Sequence, residues 1–157
     1  MNRLRIGLAG CGATSWMFAP CFRYLQEGQL VAAMDPSQKA LDSITKQIPG
    51  IRTYTRYEDF LADDQIDAVL IGSPVIFHEE QVIQAAQKGK HVLCEKPMAP
   101  TVDACSRMIE ACERAGVLLM VALFKRFHPS MRLVHDMIQK GELGQPFQVT
   151  TSWSWPQ

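Results

Sequence analysis

The stretch LRIGLAGCGATS, residues 4–15, constrains the fold more than any other part of the chain. It opens with a mostly apolar run, which is typical of a parallel strand buried on both faces. Gly10 and Gly12 follow, and a helix-like apolar segment comes next. Glycine lets the backbone approach a ligand closely, and the N–H groups at a helix start bind phosphate well. The stretch therefore predicts the pyrophosphate-binding turn of a dinucleotide-binding fold. The alternative is a tight turn that binds no ligand.

The composition fits one ordinary globular domain. The chain has 157 residues, of which 47% are apolar and 20% are charged. Its 16 basic and 16 acidic side chains cancel, so nothing in the total charge favours nucleic acid or an anionic membrane as a partner. The five cysteines form no CxxC pair and no metal-ligand spacing, so we expect reduced thiols and no metal site. No signal peptide or bilayer-length apolar run is recognisable in this sequence, and we expect a cytoplasmic protein.

Strand-like and helix-like segments alternate six times. This alternation predicts an α/β fold with a Rossmann-like, doubly wound parallel sheet. After the first strand, the predicted strands are residues 30–34, 51–54, 67–72, 91–94 and 118–123. The predicted helices are residues 20–27, 38–48, 58–61, 79–88, 101–115 and 131–140. Glycines are expected to end several of these helices, including Gly28 after the first one and Gly116 after the fifth.

Asp35 directly follows the second predicted strand. In dinucleotide-binding folds an acidic residue about 20 residues beyond the glycines accepts hydrogen bonds from the adenosine ribose. A carboxylate there would repel the extra phosphate of NADP, so the sequence favours NAD. The sequence Asp-Pro-Ser is also a good helix start, so Asp35 has helix capping as an alternative or additional role.

Polar residues also follow the fourth and fifth predicted strands. Ser73 and Pro74 break the chain at the carboxyl edge of the sheet, where open α/β sheets bind ligands, and His78 begins the next helix. Glu95 and Lys96 come directly after the fifth strand and precede Pro97. This pair of charges is positioned to serve a cofactor ribose and a substrate oxygen. A surface ion pair beside a loop proline is the alternative.

The C-terminal part follows a different pattern. From residue 147 to residue 155 larger apolar side chains alternate with polar ones, apart from Thr151, which predicts a strand with one buried face. Nothing in the sequence is available to cover Trp153 and Trp155. We therefore expect residues 1–122 to form the nucleotide-binding domain, and residues 123–157 to hold a linker helix and the first strand of a second α/β domain. The rest of that domain would be missing here or belong to a partner chain.

The chain resembles the Gfo/Idh/MocA family of oxidoreductases, which includes glucose-fructose oxidoreductase and inositol dehydrogenase. The similarity runs through nearly the whole chain, in the segments IGLAGCG, AAMDPS, SPVIFH, VLCEKPMA, VALFKRFHP and KGELGQPFQV. The EKP triplet after an apolar strand is more specific than the glycines. The resemblance implies a Rossmann domain that binds NAD or NADP. It also implies a second domain, with an open and mostly antiparallel sheet, that contacts the substrate and packs subunits into a homo-oligomer.

The resemblance implies a role for each matching residue. The pyrophosphate would be bound by Gly10, Cys11, Gly12, Ala13 and Thr14. Asp35 would hold the adenosine ribose, Glu95 would meet the nicotinamide ribose, and the cofactor groove would be lined by Ser73, Pro74 and His78. Lys96 would lie beside both cofactor and substrate and assist proton transfer, and Pro97 would follow a cis bond. Val75 departs from the polar residue that is frequent in the family, and the family's catalytic aspartate and histidine of the second domain have no counterpart here.

These patterns favour the cofactor-binding portion of an NAD(P)-dependent oxidoreductase. Its reaction would be the reversible oxidation of a secondary hydroxyl in a sugar, polyol or related compound. This portion alone is expected to be inactive or nearly so. A non-catalytic nucleotide-binding module that senses or regulates, and a truncated fragment without a ligand, are the alternatives, since Rossmann domains support many functions.

Overall fold

The computed structural model describes residues 3–12 and 17–152, and the chain divides into two compact units, Met1–Ala122 and Leu123–Gln157. The strands in the described residues are β1 (Leu4–Ala9), β2 (Gly28–Met34), β3 (Arg52–Tyr54), β4 (Ala68–Ile71), β5 (His91–Cys94) and β6 (Leu119–Val121). They form one parallel sheet in the order β3-β2-β1-β4-β5-β6. The predicted doubly wound α/β fold is confirmed.

The described helices connect these strands or follow the last one. They are α1 (Gln38–Gln47), α2 (Tyr57–Leu61), α3 (His78–Gln87), α4 (Val102–Ala115) and α5 (Pro129–Gln139), with 3-10 turns at Ala19–Arg23, Val75–Phe77 and Phe124–Phe127. Helix α4 begins and ends as its sequence predicts. The Thr101 hydroxyl accepts a hydrogen bond of 3.2 Å from the N–H of Ala104, and Gly116 ends the helix at a φ of 66°. Within the described residues, every helix is too short or too polar to cross a membrane.

Each face of the sheet is covered by its own apolar cluster. Neighbouring residues of a strand point to opposite faces, so Leu8 packs with Leu41 of α1 in one cluster. The next residue, Ala9, belongs to the other cluster with Val82 of α3 and Met108 of α4. Burial on both faces explains why the central strands read as continuous apolar runs.

The helix predicted for residues 20–27 is wrong. A short 3-10 turn, Ala19–Arg23, takes its place, and Gly28 begins β2 instead of ending a helix. The reason is a set of contacts with the start of β1. The N–H of Leu4 donates to the carbonyl of Glu27 at 2.7 Å, and the Arg3 guanidinium donates to the carbonyls of Leu25 and Gly28 at 2.6 and 2.7 Å. These long-range bonds hold residues 25–28 beside the start of β1, where a helix would not place their carbonyls.

Of the strand predicted from residue 147 to residue 155, the described part is not formed. Residues 147–152 have no regular secondary structure, and Trp153 and Trp155 lie outside the described residues. A strand needs a hydrogen-bonded neighbour. The described residues of the second unit contain a 3-10 turn and α5 but offer no strand to pair with. Alternating polarity alone therefore did not produce a strand here.

Candidate functional site

A cleft of about 680 Å³ lies at the carboxyl ends of β1, β2 and β4. The chain runs from β1 outward to β2 and β3, and then returns to the other side of β1 as β4. The cleft therefore lies at the topological switch point, where open α/β sheets bind ligands. The described residues that line it are Gly10, Gly12, Met34, Asp35, Pro36, Thr55, Tyr57, Gly72, Ser73, Pro74, Phe77 and Gln81.

The two glycines of the turn have different roles. Gly10 has a φ of +93°, and a Cβ there would lie 2.6 Å from the nitrogen of Ser73 and 2.8 Å from the carbonyl carbon of Gly72. Only glycine permits this contact between the ends of β1 and β4. A Cβ on Gly12 would meet no described atom within 4 Å, because this position borders the open cleft. Ala13 and Thr14, which the resemblance assigns to the pyrophosphate site, lie outside the described residues.

Cys11, between the glycines, faces inward. Its side chain is buried, and burial, reinforced by the negative charge of Asp35, raises the pKa of its thiol to about 12. The thiol therefore stays protonated and is no nucleophile. The N–H of Cys11, one of the groups expected to face a phosphate, donates instead to Oδ2 of Asp35 at 2.8 Å.

Asp35 is held by two backbone donors. Oδ2 accepts from the N–H of Cys11, and Oδ1 accepts from the N–H of Ser37 at 2.8 Å, directly before α1. The carboxylate thus joins the glycine turn to the start of α1, which is close to the capping role that the sequence left open. A carboxylate has about four lone-pair sites, so two acceptor positions remain for a ligand in the cleft. Among the described lining residues, Asp35 alone carries a charge.

The residues after β4 divide between the cleft and the interior. Ser73 and Pro74 line the cleft, and the Ser73 hydroxyl donates to Oε1 of Gln81 at 2.5 Å. His78 does not line it. Its side chain is 1% exposed, and its ring nitrogens face the carbonyls of Ser73, Pro97 and Met98. The groove-lining role implied for His78 is therefore not what its position supports.

Glu95 and Lys96 follow β5 at the same edge of the sheet but do not line the described cleft. Glu95 is buried, and its Oε2 accepts from the N–H of Lys96 at 2.9 Å. The Lys96 side chain is exposed, and no ion pair joins it to Glu95, so the surface ion pair left open by the sequence is not formed. The peptide bond between Lys96 and Pro97 is cis, as the resemblance implied.

Several lining residues were missed by the sequence analysis. Thr55 directly follows β3, and Pro36 is the second residue after β2, so their place at the carboxyl edge was a usable signal. Tyr57 and Phe77 come from a helix and a 3-10 turn, where nothing in the sequence marked them. The half-buried Tyr57 hydroxyl donates to the carbonyl of Gln81 at 2.9 Å, and burial raises the pKa of this hydroxyl well above its usual value.

A glycine turn at the switch point of a parallel sheet, with an anchored carboxylate after the second strand, defines a nucleotide-binding Rossmann domain. The family model of oxidoreductases with an NAD-binding Rossmann fold, the Gfo/Idh/MocA family, matches residues 4–123. The chain therefore belongs to this family, as its motifs indicated.

Named relatives of the chain are dehydrogenases. It is 36% identical over 151 residues to D-xylose 1-dehydrogenase (NADP(+)) 2 of Haloferax volcanii, which covers 96% of this chain and 45% of the relative. It is 30% identical to an inositol 2-dehydrogenase of Corynebacterium glutamicum, over 90% of this chain and 43% of the relative. The chain thus spans less than half the length of these relatives.

Solved structures give the same result. The WlbA dehydrogenase of Bordetella pertussis, in complex with NADH and UDP-GlcNAcA, matches with a TM-score of 0.85 and 33% identity, over 91% of this chain and 44% of the other. The scyllo-inositol dehydrogenase of Lactobacillus casei, with NAD(H) and scyllo-inositol, matches with a TM-score of 0.85 and 27% identity, over 91% and 43%.

The residues of the cleft fit a nicotinamide dinucleotide. A side chain at Gly12 would enter open space, and the anchored Asp35 carboxylate offers acceptors to ribose hydroxyls. The lining is otherwise uncharged, which suits an adenosine moiety better than a polyanion.

Proposed function

We propose that this chain is the cofactor-binding portion of a dehydrogenase that uses NAD to oxidise a secondary hydroxyl of a sugar, polyol or related compound. The observation that carries the proposal is the cleft at the switch point, open at Gly12 and bordered by the doubly anchored Asp35. Membership of the oxidoreductase family supports it, and the names of the relatives support a dehydrogenase over a sensing module.

NAD is favoured over NADP because of Asp35. Two backbone N–H groups fix its carboxylate beside the cleft, so it cannot turn away from a 2′-phosphate. No lysine or arginine is present among the described lining residues to bind that phosphate. A fixed carboxylate without a neighbouring positive charge repels the 2′-phosphate of NADP and accepts hydrogen bonds from the ribose hydroxyls of NAD.

The proposed site divides between binding and proton transfer. Gly10, Gly12, Ser73 and Pro74 border the cofactor with Asp35, Cys11 holds the turn in place through the bond of its N–H to Asp35, and Ala13 and Thr14 extend the pyrophosphate site. When bound, the nicotinamide accepts the hydride. Glu95 orients the Lys96 backbone and offers its second carboxylate oxygen to the nicotinamide ribose. Lys96 is exposed at the same edge, and its Nζ, as the amine, accepts the proton of the substrate hydroxyl as the hydride leaves and becomes the ammonium.

Further parts of the proposal concern the cell and the assembly. All five cysteines are free, which supports a reducing compartment, the cytoplasm. Resemblance to the family supports a homo-oligomer of a longer chain. The balanced net charge does not favour binding to nucleic acid or to an anionic membrane surface.

The direct test is titration of this chain with NADH and with NADPH, followed by nicotinamide fluorescence and by calorimetry. We expect NADH to bind at least about tenfold more tightly, a difference of about 1.4 kcal/mol. If neither NADH nor NADPH binds, the proposal is contradicted. Turnover is then assayed with the full-length gene product on sugars and polyols.

A further inference from the structure

His78 is the first residue of α3, and its side chain is almost wholly buried, at 1% exposure. Buried polar side chains have hydrogen-bond partners, and their partners indicate what they do. His78 does not line the described cleft, so its partners lie inside the protein.

The imidazole ring bridges two backbone segments that follow neighbouring strands. Nε2 lies 2.8 Å from the carbonyl oxygen of Ser73, beyond β4. Nδ1 lies 3.1 Å from the carbonyl oxygen of Pro97 and 3.2 Å from that of Met98, beyond β5. Because β4 and β5 are adjacent and parallel, the ring joins their two following loops at the carboxyl edge of the sheet.

Both loops carry residues of the proposed site. Ser73 lines the cleft, and Lys96 directly precedes Pro97. The Lys96 N–H is bound to Oε2 of Glu95, so the backbone on both sides of Lys96 is held by hydrogen bonds. A shift of the Pro97 and Met98 carbonyls would move Lys96 relative to the cleft.

The structure assigns His78 the role of a positioning residue that fixes the Lys96 loop relative to the Ser73 loop, an assignment that rests on the proposed function. All three partners are carbonyl oxygens, which only accept, so a ring that bonds both loops at once carries an N–H on each nitrogen, whereas a ring with one N–H donates to one loop and only contacts the other. The Nε2 side orients the cofactor loop, and the Nδ1 side orients the loop of the proton-transfer residue. Substitutions that keep one donor can therefore separate the two effects.

The test uses two single-donor variants in the full-length gene product. His78→Gln keeps an amide donor near the Nε2 position and loses the bonds to Pro97 and Met98. His78→Asn keeps a donor near the Nδ1 position and loses the bond to Ser73. One lost hydrogen bond corresponds to about a fivefold effect. We expect His78→Gln to lower kcat about fivefold with KM for NAD unchanged, and His78→Asn to raise KM for NAD about fivefold with kcat unchanged.

A second measurement needs no cofactor. In this chain, the N–H of Lys96 reports on one loop and the N–H of Phe77, which donates to the carbonyl of Pro74 at 2.9 Å, reports on the other. We expect His78→Gln to accelerate amide hydrogen exchange at Lys96 alone, and His78→Asn to accelerate it at Phe77 alone.

Val82→Ala is the matched control. Val82 is fully buried one turn further along α3, and its side chain forms no hydrogen bond to either loop. Its truncation should therefore lower Tm without changing kcat and KM separately. The assignment would be overturned if kcat and KM changed together in both His78 variants at the same loss of Tm as in Val82→Ala. It would also be overturned if each His78 variant accelerated hydrogen exchange equally at the Lys96 and Phe77 amides. If the wild type fails to bind NADH, the proposed function fails, and the exchange measurement alone decides the role of His78.

Discussion

The Oδ2 atom of Asp35 accepts a hydrogen bond of 2.8 Å from the backbone N–H of Cys11. This bond connects the end of β2 to the glycine turn after β1, and a second bond connects the same carboxylate to Ser37. One side chain therefore has two tasks, since it holds the shape of the turn and presents negative charge to the cleft. Any substitution of Asp35 tests both tasks.

Asp35→Asn is expected to change cofactor preference as well as stability. The amide has a single acceptor oxygen, so its NH2 group faces one of two backbone donors, and we expect a loss of about 1–3 kcal/mol in the free energy of unfolding. Loss of the charge should bring the affinities for NADH and NADPH together. Denaturant unfolding and fluorescence titration measure the two effects. Equal loss of affinity for both cofactors would show that Asp35 serves the turn and not the selection of cofactor.

The two glycines of the turn should respond differently to the same substitution. Gly10→Ala places a Cβ against the backbone of Ser73 at a positive φ, so we expect a loss of about 3 kcal/mol or more in the free energy of unfolding. Gly12→Ala meets no described atom and should change stability by less than about 1 kcal/mol, while it lowers NADH affinity at least about tenfold. Calorimetry gives both values. Unchanged NADH binding in a folded Gly12→Ala variant would exclude the turn as the cofactor site.

Lys96→Ala should separate turnover from binding. In the full-length gene product we expect kcat to fall about 100-fold or more, because the proton of the substrate hydroxyl loses its acceptor. The dissociation constant of NADH should stay nearly unchanged. Lys96→Arg keeps a positive charge, but a guanidinium has no neutral form that could accept the proton, so it should not restore kcat. Lys88→Ala, at an exposed lysine just after α3, is the control. Wild-type turnover in Lys96→Ala would remove Lys96 from the mechanism.

Asp67 should make stability depend on pH in the acid range. The Arg5 guanidinium donates to both carboxylate oxygens, at 2.6 and 3.0 Å, and lowers the pKa of Asp67 from 3.8 to about 2. A carboxyl whose pKa is lowered by folding stabilises the protein above pH 3.8, and this contribution disappears as the pH falls through 2. Asp67→Asn should therefore cost about 1 kcal/mol at pH 7, reduced by partial exposure of the pair.

Thermal unfolding of both proteins from pH 7 to pH 2 measures this effect. The difference in Tm should be constant at neutral pH and shrink below pH 4, and Asp64→Asn at an exposed neighbour is the control. A Tm difference that grows on acidification would contradict the assignment of the low pKa to the Arg5 contact.

The sequence predicted the parallel sheet because its strands are buried on both faces, and such burial leaves a continuous apolar run in the sequence. It also predicted Gly10, Gly12 and Asp35 as neighbours, because the carboxyl ends of parallel strands meet at one edge. The inward position of His78 could not be predicted, since its partners lie up to 20 residues away and are backbone carbonyls that any sequence provides.

The errors arise from long-range contacts as well. Nothing local in the segment before Gly28 indicates that Arg3 and Leu4 will bind its carbonyls and so prevent a helix. In the same way, the polarity pattern after Phe147 fits a strand, but a pattern does not supply the second strand that would pair with it. Local sequence patterns predicted these helices and strands, but long-range hydrogen-bond partners determined which of them formed.

The contact of Gly10 with Gly72 and Ser73 places main-chain atoms of two neighbouring strand ends in the lining of the cleft. Backbone atoms are common to every residue type, so this part of the lining changes little on substitution as long as Gly10 is kept. Thr55, Tyr57 and Phe77 line the same cleft, and their side chains can be exchanged. New ligand preferences can therefore evolve at these three positions while the backbone contact stays constant.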